Sequence, residues 1–239
     1  MVQNTLTNVH AIIMNAVLLT SAGIAPEIRS AFCDLLPKSA GEIKAAFITT
    51  GAYSKPLEMS DGKEPLWMTI DRQSLFDAGV TQVEDLDIRD KTSAELEKIL
   101  ADKDVIFVSG GNVFFLMHWV KKTGFDKLLY SLLKRGIVYV GSSAGSYLMC
   151  KSLEMALWKN PKRDTFGLWK KEPGLNVAHF LISPHFVEEN RAVIDNASHN
   201  TNLPIVALTD KQAVLVKGKT IKLLGPREKN YWNGFKEVA

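Results

Sequence analysis

Residues 137–149 read IVYVGSSAGSYLM, and they pass from a buried strand directly into a helix. The strand is predicted by the continuous apolar run at its start, and the helix by the apolar spacing that follows Ala144. Between the two, the pattern G-x-S-x-G at 141–145 places a serine on a turn that two glycines keep tight. A strand joined to a helix by so short a turn indicates one unit of a parallel α/β sheet.

Short apolar runs and longer segments of helical period alternate along the rest of the chain. This alternation is typical of a parallel sheet with helices on both faces, and it predicts the α/β class. Strands are expected at 16–20, 45–49, 83–86, 105–109, 137–141, 180–182, 205–208, 213–216 and 220–224. Helices are expected at 26–36, 65–78, 94–100, 113–121, 125–134, 144–150 and 187–200. The turn at 217–219 predicts an antiparallel hairpin at an edge of the sheet.

The composition is that of a globular protein, with 46% hydrophobic and 23% charged residues in a chain of 239. We expect residues 14–239 to form one domain, preceded by an extension of residues 1–13. The net charge is only +3 and the basic residues are interspersed with acidic ones, so no nucleic-acid surface is expected. The apolar stretch 9–20 is too short to span a membrane and lacks the pattern of a signal peptide, so no membrane partner is expected.

The two cysteines, Cys33 and Cys150, lie far apart in the sequence. Their spacing favours neither a disulfide framework nor a zinc site. A reducing compartment fits this pattern best, so we expect a cytoplasmic protein.

Ser143 is the candidate nucleophile, because the turn would hold its hydroxyl above the end of the sheet. The helix after it directs backbone N–H groups and a positive dipole end toward the same point. Among five histidines, His185 is favoured over His179 as the base, since it follows the strand at 180–182 where α/β active sites collect. The alternative is a glycine-rich turn whose serine only caps the helix.

A second loop, residues 109–112 (SGGN), also leads from a strand into a helix. Its Gly111 N–H could join the Ala144 N–H in an oxyanion hole, whereas the alternative is a tight turn with Asn112 as the helix cap. An imidazole base is usually oriented by a carboxylate. Four acids on loops or element ends are candidates that the sequence does not separate: Glu154, Asp164, Glu172 and Asp210.

Three segments taken together resemble the peptidase E family of serine peptidases, aspartyl dipeptidases whose relatives include cyanophycinase. They are residues 108–112 (VSGGN), 141–145 (GSSAG) and 183–186 (SPHF), and the likeness extends from about residue 14 to the C terminus. The resemblance implies a three-layer sandwich similar to the class I glutamine amidotransferases, with a flavodoxin-like, mainly parallel central sheet.

The resemblance also implies the roles of the main site residues. Ser143 would be the nucleophile, His185 the base, and the N–H groups of Gly111 and Ala144 the oxyanion hole. It implies no metal and no organic cofactor.

The acid and the substrate contacts match the family less closely. The family's acid lies between serine and histidine, where Asp164 is nearest here, with Glu154 or Asp210 as alternatives. We assign substrate contacts to Asn112 and to Arg191, because a guanidinium suits bidentate binding of a carboxylate. A second basic cluster offers the same chemistry, namely Lys159, Lys162 and Arg163.

These residues predict a serine peptidase that hydrolyses short peptides, with Asp-X dipeptides as the implied substrates. A small peptide is the expected partner, and the chain is expected to be a monomer or a homodimer. The alternatives are an esterase or amidase acting on a non-peptide acyl compound, and an inactive homologue that binds a small ligand. A thiol-based amidotransferase is disfavoured, because Cys150 lies within the helix seven residues after the serine.

Overall fold

The computed structural model describes residues 16–54, 63–164, 167 and 173–239. The predicted extension 1–13 and the candidate acid Glu172 lie outside the described residues. The helices are α1 (Pro26–Cys33), α2 (Leu66–Asp77), α3 (Ser93–Leu100), α4 (Val113–Thr123), α5 (Phe125–Arg135), α6 (Ala144–Met149), α7 (Met155–Trp158) and α8 (Arg191–Ser198). The strands are β1 (Val17–Thr20), β2 (Lys44–Ile48), β3 (Gln82–Leu86), β4 (Val105–Val108), β5 (Val138–Ser142), β6 (Leu181–Ser183), β7 (Ile205–Ala207), β8 (Ala213–Lys217), β9 (Thr220–Leu224) and β10 (Asn230–Trp232). Within the described ranges, no helix combines the length and the apolar character that crossing a bilayer requires.

Seven strands form a central sheet in the order β3-β2-β4-β5-β1-β8-β9. Strands β1 to β5 are parallel, whereas β8 runs antiparallel to both β1 and β9. This arrangement confirms the predicted mainly parallel sheet and the hairpin at its edge. The middle strands β1, β4 and β5 are buried along their whole length, which explains their continuous apolar sequences.

Helices cover both faces of the central sheet. On one face α1 and α2 pack through Phe32 and Leu75, which share a core with Phe47 of β2. On the other face α3 to α6 contribute to a larger core. Successive strand residues point into different cores, as Leu18 and Leu19 do. The result is the predicted three-layer sandwich.

A second sheet of three strands, in the order β10-β7-β6, was not expected from the sequence. Strands β6 and β7 pair with each other in parallel and do not join the central sheet, because an apolar run predicts a strand but not its neighbour. The helix predicted at 187–200 begins later than expected. Val187 is extended and a 3-10 turn (Glu188–Asn190) precedes α8, so regular helix spans only Arg191–Ser198.

Candidate active site

Ser143 lies on the sharp turn between β5 and α6. Its backbone adopts φ 47° and ψ −98°, a conformation that costs free energy for a residue with a side chain. The two glycines allow the close contacts of this turn. A Cβ on Gly145 would lie 2.2 Å from the carbonyl oxygen of Val108, and a Cβ on Gly141 would lie 2.5 Å from the carbonyl carbon of Gly145.

His185 comes from the loop after β6 and contacts Ser143. Its Nε2 lies 3.0 Å from Ser143 Oγ. The backbone of His185 has φ 55°, and its N–H donates to Ser21 Oγ at 2.7 Å. Ser21 directly follows β1, the neighbour of β5, so the central sheet holds the backbone of the imidazole close to the serine. The structure therefore brings the predicted nucleophile and base within hydrogen-bonding distance.

The carboxylate at the other imidazole nitrogen belongs to Asp210, in the turn after β7. Asp210 Oδ1 lies 2.7 Å from His185 Nδ1 and 2.8 Å from Ser21 Oγ. The hydrogen bond from His185 lowers the pKa of Asp210 below its ordinary value; partial burial opposes this shift, and the contact with Ser21 adds to it. Asp210 is thus held in its charged form beside the imidazole.

The carboxylate at Nδ1 of His185 belongs to Asp210, which was an alternative for the acid, and not to Asp164, which was the first choice. The other alternative, Glu154, accepts a hydrogen bond from Thr201 Oγ1 at 3.2 Å. The three residues in contact follow one another along the chain in the order serine, histidine and aspartate. The physical reason is that β6 and β7 are adjacent parallel strands, so the residues that follow them meet at one edge whatever their separation in sequence.

The loop between β4 and α4 carries the second predicted amide, that of Gly111. Within the described part of the chain, neither the Gly111 N–H nor the Ala144 N–H donates to an acceptor. Gly111 has φ 116°, and a Cβ there would lie 2.2 Å from the carbonyl oxygen of Gly51, so the position requires glycine. The loop lies against the serine, since a Cβ on Gly110 would be 3.7 Å from Ser143 Cβ. Two amides without an acceptor among the described residues therefore lie on the loops that meet at Ser143.

These groups open into a cleft of about 420 Å³ at the carboxyl ends of the central strands. Trp67 and Ile70 of α2 form an apolar wall of this cleft. Arg163 is the only cationic side chain among the described residues that line it, and its guanidinium contacts the Gly111 carbonyl oxygen. The cleft therefore offers an apolar surface and one positive charge beside the serine.

The two side chains assigned to substrate binding have other partners. Asn112 Oδ1 accepts the Phe114 N–H at 2.9 Å and caps α4, which was the alternative for this residue. The guanidinium of Arg191 binds Glu188 Oε1 at 2.5 Å and Asn230 Oδ1 at 2.8 Å. Neither Asn112 nor Arg191 is among the described residues that line the cleft.

Several residues at the site were not identified from the sequence, among them Ser21, Trp67 and Asp71. Ser21 had one available signal, since it directly follows the first buried strand and is therefore at the edge where the site forms. Trp67 and Asp71 lie within α2, and side chains of a helix that face a cleft cannot be told from side chains that face a core.

A serine, an imidazole and a carboxylate in series at the strand ends of an α/β sandwich are the arrangement of a serine hydrolase. Comparison with known proteins narrows this class. The model of peptidase family S51 matches residues 17–224. An uncharacterized peptidase of Pasteurella multocida (strain Pm70) is 30% identical over 143 residues, which are 58% of this chain and 68% of that protein.

Further relatives agree with this family. A Drosophila melanogaster protein that bears the name of an alpha-aspartyl dipeptidase is 28% identical over 153 residues, 57% of this chain and 59% of that protein. Bacterial proteins named peptidase E also match. A crystal structure of a Listeria monocytogenes EGD-e protein, 22% identical, has the same fold, with a TM-score of 0.72 over 89% of this chain and 99% of that one. The chain belongs to peptidase family S51, the peptidase E family, and is a serine-type peptidase.

Proposed function

We propose that the protein cleaves the peptide bond of short peptides through an acyl-enzyme on Ser143. The observation that carries this proposal is the series of contacts from Asp210 Oδ1 to His185 Nδ1 (2.7 Å) and from His185 Nε2 to Ser143 Oγ (3.0 Å). When Nδ1 donates its hydrogen to Asp210, the Nε2 lone pair faces the serine hydroxyl. The lowered pKa of Asp210 supports a charged carboxylate that stabilises the imidazolium.

The reaction then has two halves. Nε2 of His185 takes the Ser143 proton while Oγ attacks the scissile carbonyl carbon, and the oxyanion is held by the N–H groups of Gly111 and Ala144. The imidazolium returns the proton to the leaving amine as the C–N bond breaks, which leaves an ester on Ser143. Water, deprotonated by the same imidazole, attacks the ester and releases the acid product and the free hydroxyl.

The test is Ser143→Ala, with Ser39→Ala, an exposed serine bonded to Glu42, as the matched control. Hydrolysis of dipeptides by Ser143→Ala should fall by about 10⁴-fold or more, because the nucleophile is lost. A fluorophosphonate probe should label the parent and the control but not Ser143→Ala. Undiminished hydrolysis by Ser143→Ala would contradict the proposal. Cleavage of simple esters without any dipeptide would favour the esterase alternative, and no turnover or labelling of the parent would favour the inactive homologue.

We further propose Asp-X dipeptides as the substrates, with Arg163 as the group that binds the aspartate carboxylate. Arg163 lines the cleft, whereas the guanidinium of Arg191 binds Glu188 and Asn230. We therefore assign binding of the substrate carboxylate to Arg163 instead of Arg191. A guanidinium matches a carboxylate in charge and in hydrogen-bonding geometry. The name of the Drosophila relative is consistent with this substrate class.

A dipeptide panel of Asp-Leu, Leu-Leu and Gly-Leu tests the assignment, using the parent, Arg163→Ala and the matched cation variant Arg191→Ala. Arg163→Ala should raise KM for Asp-Leu about tenfold or more, because a charged hydrogen bond is lost, and should leave Gly-Leu unchanged. Arg191→Ala should behave as the parent. An equal loss for all three peptides would show that Arg163 acts only through its contact with the Gly111 carbonyl. Preferred cleavage of Leu-Leu would instead indicate that the apolar wall of Trp67 and Ile70 binds the side chain of the substrate's first residue.

A further inference from the structure

Asp71, on α2, is a buried carboxylate beside the reacting groups, with 4% of its surface exposed. Oδ1 accepts a hydrogen bond from Ser142 Oγ at 2.8 Å. Oδ2 accepts one from Ser109 Oγ at 2.8 Å and one from the Gly110 N–H at 3.1 Å. Burial raises the pKa of the Asp71 carboxyl, and these hydrogen bonds oppose that shift. The three hydrogen bonds therefore offset part of the cost of burying this polar group.

The groups that Asp71 binds belong to the loops that carry the reaction. Ser142 immediately precedes Ser143, and Gly110 immediately precedes Gly111. Ser142 Oγ also accepts the N–H of Gly23 at 3.0 Å, which extends the network to the loop after β1. The three loops follow β4, β5 and β1, which are neighbours in the central sheet. One carboxylate thus links the loop of the first oxyanion amide to the loop of the serine.

We propose that Asp71 is a positioning residue that sets the distance between the oxyanion hole and the nucleophile. By fixing Gly110 and Ser142, its carboxylate fixes the Gly111 amide and the Ser143 hydroxyl relative to each other. The inference rests on the proposed acyl-enzyme chemistry. Displacement of a reacting group by about 1 Å is enough to slow a reaction by about 100-fold. Loss of the hydrogen bonds from Asp71 to Gly110 and Ser142 should therefore slow the reaction, because each of these residues directly precedes a reacting group.

Two other roles fit the contacts less well. Asp71 is poorly suited to carry a proton to the substrate, because both of its oxygens are already engaged and the side chain is buried. A carboxylate that only stabilises the fold would change the unfolding temperature when replaced, but it would leave the rate of the chemical step in the folded enzyme unchanged. The rate of that step therefore separates positioning from stability.

Asp71→Asn is the decisive variant, because it keeps the shape of the side chain and replaces one acceptor oxygen with an NH₂ group. With a fluorophosphonate probe, the maximal rate of Ser143 labelling (kinact) should fall about 10- to 100-fold while KI stays within about threefold, since positioning of the attack is impaired and binding is not. The kcat for Asp-Leu should fall in parallel. Asp77→Asn, an exposed carboxylate on the same helix, is the matched control and should behave as the parent.

An unchanged kinact in folded Asp71→Asn, or a change confined to KI, would overturn the inference. If circular dichroism shows that Asp71→Asn does not fold, Ser109→Ala is the test variant. It removes one of the three hydrogen bonds to Asp71. Its kinact should fall about fivefold, which corresponds to the free energy of one such bond. An unchanged kinact in Ser109→Ala would then overturn the inference. Labelling that persists in Ser143→Ala would refute the proposed function itself, which is a separate outcome.

Discussion

In the proposed mechanism, Asp210 orients the imidazole of His185. Its Oδ1 lies 2.7 Å from Nδ1, and a hydrogen bond there selects the tautomer whose Nε2 accepts the serine proton. Asp210→Asn should therefore lower kcat by about 10³- to 10⁴-fold, because the amide favours the wrong tautomer. The measurement is hydrolysis of Asp-Leu over pH 5 to 9.

Asp164→Asn is the matched control for this prediction, since Asp164 was the acid chosen from the sequence. We expect its kcat to stay within about threefold of the parent, as for a substitution outside the reacting groups. If Asp164→Asn lost activity and Asp210→Asn kept it, the assignment of Asp210 would be wrong.

Residues of the site differ in how far the sequence could predict them. Ser143 and His185 follow directly from local patterns, because each stands at the end of a recognisable strand. The acid could be reduced only to a set of candidates, since the strand pairing that brings Asp210 to the imidazole is not encoded in its neighbourhood. Asp71 gives no local signal at all, because a buried acid and an exposed acid look alike in a helical sequence.

Helix α3 shows how a local sequence signal becomes an element boundary. Thr92 Oγ1 accepts the Glu95 N–H at 3.3 Å, and Glu95 Oε2 accepts the Thr92 N–H at 2.7 Å, which completes a capping box. Thr92→Ala should reduce the free energy of unfolding by about 1 kcal/mol, because an amide of the first turn loses its partner. Urea unfolding measures this change, and peptide hydrolysis should stay unaltered.

Thr81→Ala, at an exposed threonine outside any helix, is the control for the cap. It should change the free energy of unfolding by less than about 0.5 kcal/mol. Equal losses in Thr81→Ala and Thr92→Ala would contradict a specific role for the capping box.

Most elements could be predicted from the sequence because their periods are strong. The middle strands β1, β4 and β5 are short, buried runs, and the helices α2 to α5 begin and end within two residues of the predicted bounds. Strand β10 and helix α7 are the exceptions, because they have only three and four residues and give too short a local pattern. Strands β6 and β7 were predicted within one residue of their observed bounds, but their pairing in a separate sheet was not.

At the scale of the whole molecule, two site carboxylates change stability with pH in opposite directions. The pKa of Asp210 is lowered in the folded protein, so its contribution is complete above the unfolded pKa and is lost as pH falls through the folded value. The pKa of Asp71 is raised, so the folded state binds its proton more tightly. Stability from Asp71 is therefore present below the unfolded pKa and is lost as pH rises through the folded value.

Asp71→Asn should accordingly gain stability relative to the parent as pH rises from 4 to 7. The gain is at most about 1.4 kcal/mol for each pH unit between the unfolded and folded pKa values of Asp71. Urea unfolding of the parent, Asp71→Asn and Asp77→Asn at both pH values measures it. A difference between Asp71→Asn and the parent that does not vary with pH would contradict the raised pKa.

The reacting groups are divided between the two sheets. The serine and the oxyanion amides are carried by loops of the seven-stranded sheet, whereas the imidazole and its carboxylate follow β6 and β7 of the three-stranded sheet. The proposed catalysis therefore depends on the interface between the two sheets, where Ser21 contacts both His185 and Asp210. If warming separates the two sheets at this interface before the helices unfold, hydrolysis should stop several degrees below the temperature at which the helical circular dichroism signal is lost. Inactivation and unfolding would then be two separate transitions.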